Sequence, residues 1–279
     1  MISVDEKKES FLGLKSGLKR VHCRGVLVSL PVLFCLFAAA GLAGFVDAIA
    51  GGGGLITVPV LLWAGLPPQL ALGTNKLQSS CGTALATWAY ARAGLLKTPG
   101  IPLGLLLTLT GAISGATALS YVRPDFLRQL VPILLGAVAL FSWLKPDLGN
   151  QPMAARIGTT FFAIGMGLLL GFYDGFFGPG TGAFWMIACV LLLGCSLPQA
   201  TGYTKAMNLT SNLAALVIFL SHGQVSLTIG LTMAVGQLIG AQLGSRLVLK
   251  RGVNVIRPVF LTVVSLLTLK LAWDAYGGN

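Results

Sequence analysis

Apolar sequence recurs along this chain in blocks of bilayer-crossing length, each closed by glycine, proline or a charged residue. Lipid offers the backbone no hydrogen-bond partners, so such blocks span a membrane only as helices or as closed barrels, and blocks of this length and continuity read as helices. With Gly, Pro and charges as punctuation, they fall at 26–46, 54–66, 69–91, 101–121, 126–144, 157–176, 181–196, 199–220, 225–249 and 255–273. The blocks at 54–66 and 181–196 are short for a crossing of about 20 residues, and read as tilted spans or as half-helices that enter and return. The expected fold is therefore an all-α polytopic transmembrane bundle of roughly 8–10 segments with broken or short helices. Composition agrees: 55% hydrophobic residues, 10% charged residues and a mean hydropathy of +0.83 exclude a water-soluble fold.

The net charge of +11 does not form a nucleic-acid surface, because the basic residues are separated by apolar spans without a basic stripe. Most belong to loops and interfaces, and the residual positive field suits an anionic solute. The five cysteines form no CxxC pair, and are read as small buried hydrophobes.

A repeat runs through the sequence. Gly44-Phe45-Val46-Asp47 with Gly51 and Gly53 recurs 127 residues later as Gly171-Phe172-Tyr173-Asp174 with Gly178 and Gly180. Gly73-Thr74-Asn75-Lys76 is answered by Gly202-Tyr203-Thr204-Lys205, and Gly111-Ala112 and Gly115 by Gly240-Ala241 and Gly244. These matches divide the chain into a basic head (1–25) at the cytoplasm or interface, a first transmembrane repeat (26–145), a linker (146–156) and a second repeat (157–279). The head followed by an apolar block resembles a signal peptide, but the block has an equivalent at about 157–173 and is read as part of the repeated unit. With five crossings per repeat the two are inverted. Secondary transporters are often built this way, with the site where the repeats meet.

Two kinds of residue could carry chemistry. Residues 51–54 and 178–182 break apolar sequence at matched places, and glycine and proline there free N–H and C=O groups that lipid cannot satisfy. Such backbone survives beside a polar cavity, where the N-termini of the following helices, around Gly52, Gly53, Gly180 and Thr181, would face an anion. No GKS or GKT follows, so a nucleotide-binding loop is excluded. The second kind is Lys76 and Lys205, each inside an apolar block, where a lysine costs about 2.5–3.5 kcal/mol. Asn75 adjoins Lys76, and Ser79 and Thr83 follow it at spacings of three and seven, as Asn208 and Asn212 follow Lys205. Each set lies on one helical face and forms a polar stripe headed by a cation. Asp47 and Asp174 could pair with the lysines, carry a coupling proton or cap the broken helices. The fuller Phe172 to Pro179 motif makes Asp174 the expected coupling site.

The patterns Gly44-Phe45-Val46-Asp47 with residues 51–54, Gly73-Thr74-Asn75-Lys76-Leu77-Gln78, and Gly171-Phe172-Tyr173-Asp174-Gly175-Phe176-Phe177-Gly178-Pro179 resemble the sulfite exporter TauE/SafE family. The resemblance runs from about Val26 to Tyr276. It implies a bacterial inner-membrane carrier of sulfite, sulfonates or related organic anions, in either direction, and brings no catalytic residue set.

The expected function is a secondary transporter of a small anion, a sulfur-containing oxyanion, organosulfonate or organic acid, working by alternating access between the repeats. Its partners are that solute and the lipid bilayer, with no nucleic acid, and homo-oligomerisation stays open. No cofactor or metal is implied. Two histidines and no HExxH or paired-carboxylate helix argue against an enzyme. A non-transporting membrane scaffold or sensor subunit is the alternative, with the basic head as its recruiting element. Five crossings per repeat put the loops at Asp125 and Arg251 on opposite faces. Single cysteines there should therefore label from opposite sides of intact membranes, and labelling from one side would make the repeats parallel.

Overall fold

The computed structural model describes residues 20–23, 26–97, 100–123, 126 and 154–252. Among them are eight helices: α1 (Leu30–Ala50), α2 (Gly54–Trp63), α3 (Pro68–Arg92), α4 (Ile101–Ser120), α5 (Thr159–Phe176), α6 (Thr181–Leu193), α7 (Leu197–Ser221) and α8 (Leu227–Arg251). The expected spans at 126–144 and 255–273 lie outside the described residues, but for Phe126. Four helices, α1, α4, α5 and α8, are long and apolar enough to cross a membrane. α3 and α7 have the length at 25 residues each, and miss the apolar criterion because their inner faces carry Lys, Asn, Ser and Thr.

One expectation is corrected at the N-terminus. The first apolar block does not start as a helix at Val26: β1 (Arg20–Cys23) and β2 (Val26–Ser29) form an antiparallel hairpin, with Arg20 opposite Ser29 and Cys23 opposite Val26. Two valines in Val26-Leu27-Val28 favour extended backbone. The helix begins where Pro31 can occupy its first turn, where its missing N–H costs nothing. Cys35 and Cys81 are half-buried and Cys189 and Cys195 buried, so burial holds for only two of these four.

Helix directions follow from which residues meet. Gly236, Gly240 and Gly244 of α8 meet Phe37, Gly41 and Phe45 of α1 in the same order, so α1 and α8 run parallel. Gly73, Leu77 and Gly82 of α3 meet Gln224, Gly230 and Gln237, so α3 also runs with α8. On the other side, Gly167, Gly171 and Gly175 of α5 meet Leu107, Thr108 and Ala112, so α4 and α5 are parallel. α7 runs with them, since Gly202 meets Leu95 just before α4 and Gly104 meets Tyr203 and Met207. α3 and α7 are antiparallel: Gly73, early in α3, touches Gln224 just past the end of α7, and Gly202, early in α7, touches Leu95 just past the end of α3.

The polar helices α3 and α7 thus pack together, flanked by α8 with α1 and by α4 with α5. Leu227, Leu231, Val235, Ile239 and Leu243 form an exposed stripe along α8, and Leu106, Leu109 and Ile113 one along α4. Apolar residues outside and polar ones inside is the arrangement lipid demands. Small residues set how closely the flanking pairs approach, because lipid tails supply no hydrophobic drive and association rests on backbone contact.

A Cβ at Gly240 would fall inside the Gly41 carbonyl, and one at Gly111 would lie 2.6 Å from the Leu168 carbonyl oxygen. Gly240→Leu and Gly111→Leu should each lower the detergent melting temperature by at least the equivalent of about 1–3 kcal/mol. Gly165, with open space around it, is the control: Gly165→Ala should be neutral or stabilising by up to about 0.5–1 kcal/mol.

Candidate functional site

The two glycine-rich breaks meet at the centre of the bundle. α1 ends at Ala50, and Gly51 turns the chain with φ +77°; α5 ends at Phe176, and Gly178 does so with φ +96°. A Cβ on Gly51 would lie 2.7 Å from Gly182 Cα, and one on Gly54 would lie 3.1 Å from Pro179 Cα, so only near-bare backbone allows this approach. Tyrosines pin both breaks: Tyr90 Oη donates to Ala48 O at 2.6 Å, and Tyr173 Oη to Pro179 O at 2.9 Å.

α2 and α6 start at this junction and, with 10 and 13 residues, reach about 15 Å and about 20 Å. They lead to the starts of α3 and α7, which lie at opposite ends of the bundle. The junction therefore sits near mid-depth of a hydrocarbon core of about 30 Å.

Both lysines project into this region from the third turn of their helices. α3 starts on Pro68 at its first turn, and α7 on Pro198, where the Ser196 N–H donates to Gln199 Oε1 at 3.1 Å. Lys76 Nζ donates to Asp174 Oδ1 at 2.6 Å and to Asn212 Oδ1 at 3.0 Å. Lys205 Nζ donates to Asp47 Oδ2 at 3.0 Å. Each pair is buried and joins the N-terminal four helices to the C-terminal four. The pairing is reciprocal: the lysine of each motif holds the aspartate of the other.

Between the pairs lies a cavity of ≈ 20 Å³ whose wall includes Asp47, Asp174, Lys76, Asn75, Ser79, Asn208, Asn212, and the glycines 52–54, 178, 180 and 182. That is room for about one water. Gly54 and Gly182, in the first turns of α2 and α6, border it, while the N–H groups of Leu55, Ile56, Thr57, Thr181 and Ala183 donate to carbonyls of the breaks. Lys205 stands behind Asp47 and reaches the wall through it. The Asn208 Oδ1 in the wall has no partner among the described residues.

Of the candidates read from the sequence, Asn75, Lys76, Ser79, Asn208, Asn212, Gly52, Gly53, Gly180, Asp47 and Asp174 are brought together in that wall. Thr83 and Thr181 stand outside it, and their hydroxyls donate to Ser79 O and Gly178 O. Asn75 Oδ1 accepts from Thr57 and Gln78 and so ties α2 to α3. Sequence reasoning missed Ser211, whose hydroxyl donates to Asp174 Oδ2. It lies six residues after Lys205, off the stripe of spacings three and seven, and aligns with Gly82 in the repeat, so nothing in the pattern marks it.

Residues 36–271 match the family described as Sulfite exporter TauE/SafE. The chain is 43% identical over 251 residues to the "Probable membrane transporter protein YfcA" of Escherichia coli strain K12, covering 90% of this chain and 93% of that protein. It is 38% identical over 247 residues to a "Probable membrane transporter protein" of Haemophilus influenzae, covering 88% and 97%. No solved structure matches.

Removing one partner of a buried pair leaves an uncompensated charge, at about 3–5 kcal/mol, whereas removing both leaves none. Lys76→Met alone should therefore destabilise strongly, and Lys76→Met with Asp174→Leu should recover most of the loss in detergent melting experiments. Additive effects of the two changes would mean that the pair is uncoupled.

Proposed function

Because the chain belongs to the sulfite exporter TauE/SafE family, we propose that it is a secondary transporter that moves a small anion through the cavity between the two crossed ion pairs. The observation that carries this reading is the pair of buried lysines at the meeting point of two glycine breaks. The Lys76 ammonium, with Lys205 one side chain behind Asp47, asparagine amides and helix N-termini around one small polar space are chemically suited to an oxyanion or carboxylate. A sulfur-containing oxyanion agrees with a family of sulfite exporters.

The two motif sets are read as inverted repeats. Corresponding elements point in opposite directions: α1 and α3 run with α8, while α5 and α7 run with α4. α2 and α6 leave the site toward opposite faces, so rocking one repeat against the other would open the cavity to each side in turn. With room for about one water, the cavity has to widen to admit solute. The bacterial inner membrane is the setting this reading assigns.

Charge makes the reading testable. Binding that favours the folded protein raises its stability with solute concentration, so sulfite should raise the detergent melting temperature of the wild type in a saturable manner. In proteoliposomes the wild type should exchange labelled sulfite. The charge-neutral Lys76→Met/Asp174→Leu protein should fold and exchange at least tenfold more slowly, a factor worth about 1.4 kcal/mol. Wild-type exchange by that folded variant would overturn the anion site.

A further inference from the structure

Resting on that reading, we propose that the two crossed pairs are not equivalent: Asp47 is the carboxylate that takes up a proton in each cycle, and Asp174 is a fixed anchor. Four observations separate the two. Asp174 is held at 2.6 Å by Lys76 and also by the Ser211 hydroxyl, whereas Asp47 has Lys205 at 3.0 Å and the Gly53 N–H at a long 3.3 Å. The Asp47 side chain keeps 12% of its surface exposed, against 4% for Asp174. Lys76 is further fixed by Asn212, while Lys205 has Asp47 as its charged partner. The fourth is the origin of the difference. The residue matching Ser211 is Gly82, and Gln237 packs there so closely that a Cβ on Gly82 would lie 2.5 Å from Gln237 Cγ. Gln237 Oε1 itself has no partner among the described residues. Gly82 thus brings no hydroxyl to Asp47 where the matching Ser211 brings one to Asp174.

The groups around Asp47 are few. Lys205 faces it from α7 and the Gly53 N–H from the break before α2. On α3, Tyr90 holds Ala48 O, and Lys76 with its partner Asp174 of α5 shares the cavity wall. α6 contributes Gly182, and α8 contributes Gln237, with Arg246 exposed at its far end.

The step balances in charge. With both pairs intact, two ammonium groups and two carboxylates sum to zero. A proton entering from the open side bonds to Asp47 Oδ2 and breaks its ion pair with Lys205. Lys205 is then a buried cation without a counter-ion, and a monovalent anion in the cavity supplies one. When the anion leaves, the proton leaves Asp47 and the pair re-forms. One proton thus travels with each monovalent anion, and the occupied and empty sites are both neutral.

Infrared difference spectra of the purified protein with and without sulfite, at one mildly acidic pH, test the assignment. The wild type should show a protonated-carboxyl band that is lost in Asp47→Asn and returns at a shifted frequency in Asp47→Glu. Persistence of the band in Asp47→Asn, or its absence from the wild type, would overturn the proposal. In proteoliposomes, Asp47→Asn should lose labelled-sulfite accumulation driven by a pH gradient while Asp47→Glu retains it, and accumulation at the wild-type level in Asp47→Asn would also overturn the proposal. If the wild type moves no sulfite while the band follows Asp47, the transport reading falls and the proton assignment stands.

Discussion

Two ammonium groups held away from water by two carboxylates constrain everything around them. A lysine buried to 1% or less is tolerable in a bilayer only with a counter-charge beside it. Here each counter-charge comes from the other set of four helices. Neither set can therefore leave the other without exposing a bare charge, and the two are locked together by electrostatics at the centre while small residues lock the flanking helices. The same crossing places Lys76 in the wall of one cavity and Lys205 behind Asp47 of that wall, so that the four charges lie close together.

The broken helices are the second requirement, and they follow from the first. A continuous α1–α2 or α5–α6 would put side chains where Gly51 meets Gly182 and Gly54 meets Pro179, and would hold the aspartates away from the opposite lysines. Breaking the helix at glycine brings the two backbones together and leaves first-turn N–H groups beside the polar space. Tyr90 from α3 and Tyr173 from the end of α5 itself then hold the interrupted backbone, so the break is a fixed feature and not a loose loop.

Equivalence in sequence does not carry through to equivalence in chemistry. Gly82 and Ser211 occupy matching positions, yet one admits the Gln237 side chain and the other places a hydroxyl on Asp174. One aspartate is bound by two side chains and the other by one side chain and a stretched backbone contact. A site that binds, releases and resets has use for one firm pair and one that can open.

How much of this was legible in the sequence depends on the range of the physics. The helical spans follow from local composition, since lipid leaves an apolar block of that length little alternative to a helix. The matched motifs marked Asp47, Asp174, Lys76 and Lys205, and the cost of burying charge marked them as paired or functional. Helical spacing put Asn208 and Asn212 on the lysine face. The hairpin at residues 20–29 was not legible, because a short valine-rich stretch next to a span reads equally as its first turn. The pairing of each lysine with the aspartate of the other motif was beyond reach too: both pairings satisfy the same charges, and only the packing of α3 against α7 selects between them. Ser211 was invisible for a related reason, since its role arises from where Asp174 arrives in space. The sequence by itself determined which residues had to be buried together, because burial cost is a property of the residue. Only the tertiary structure decided which of them touch, because contact is a property of how helices pack.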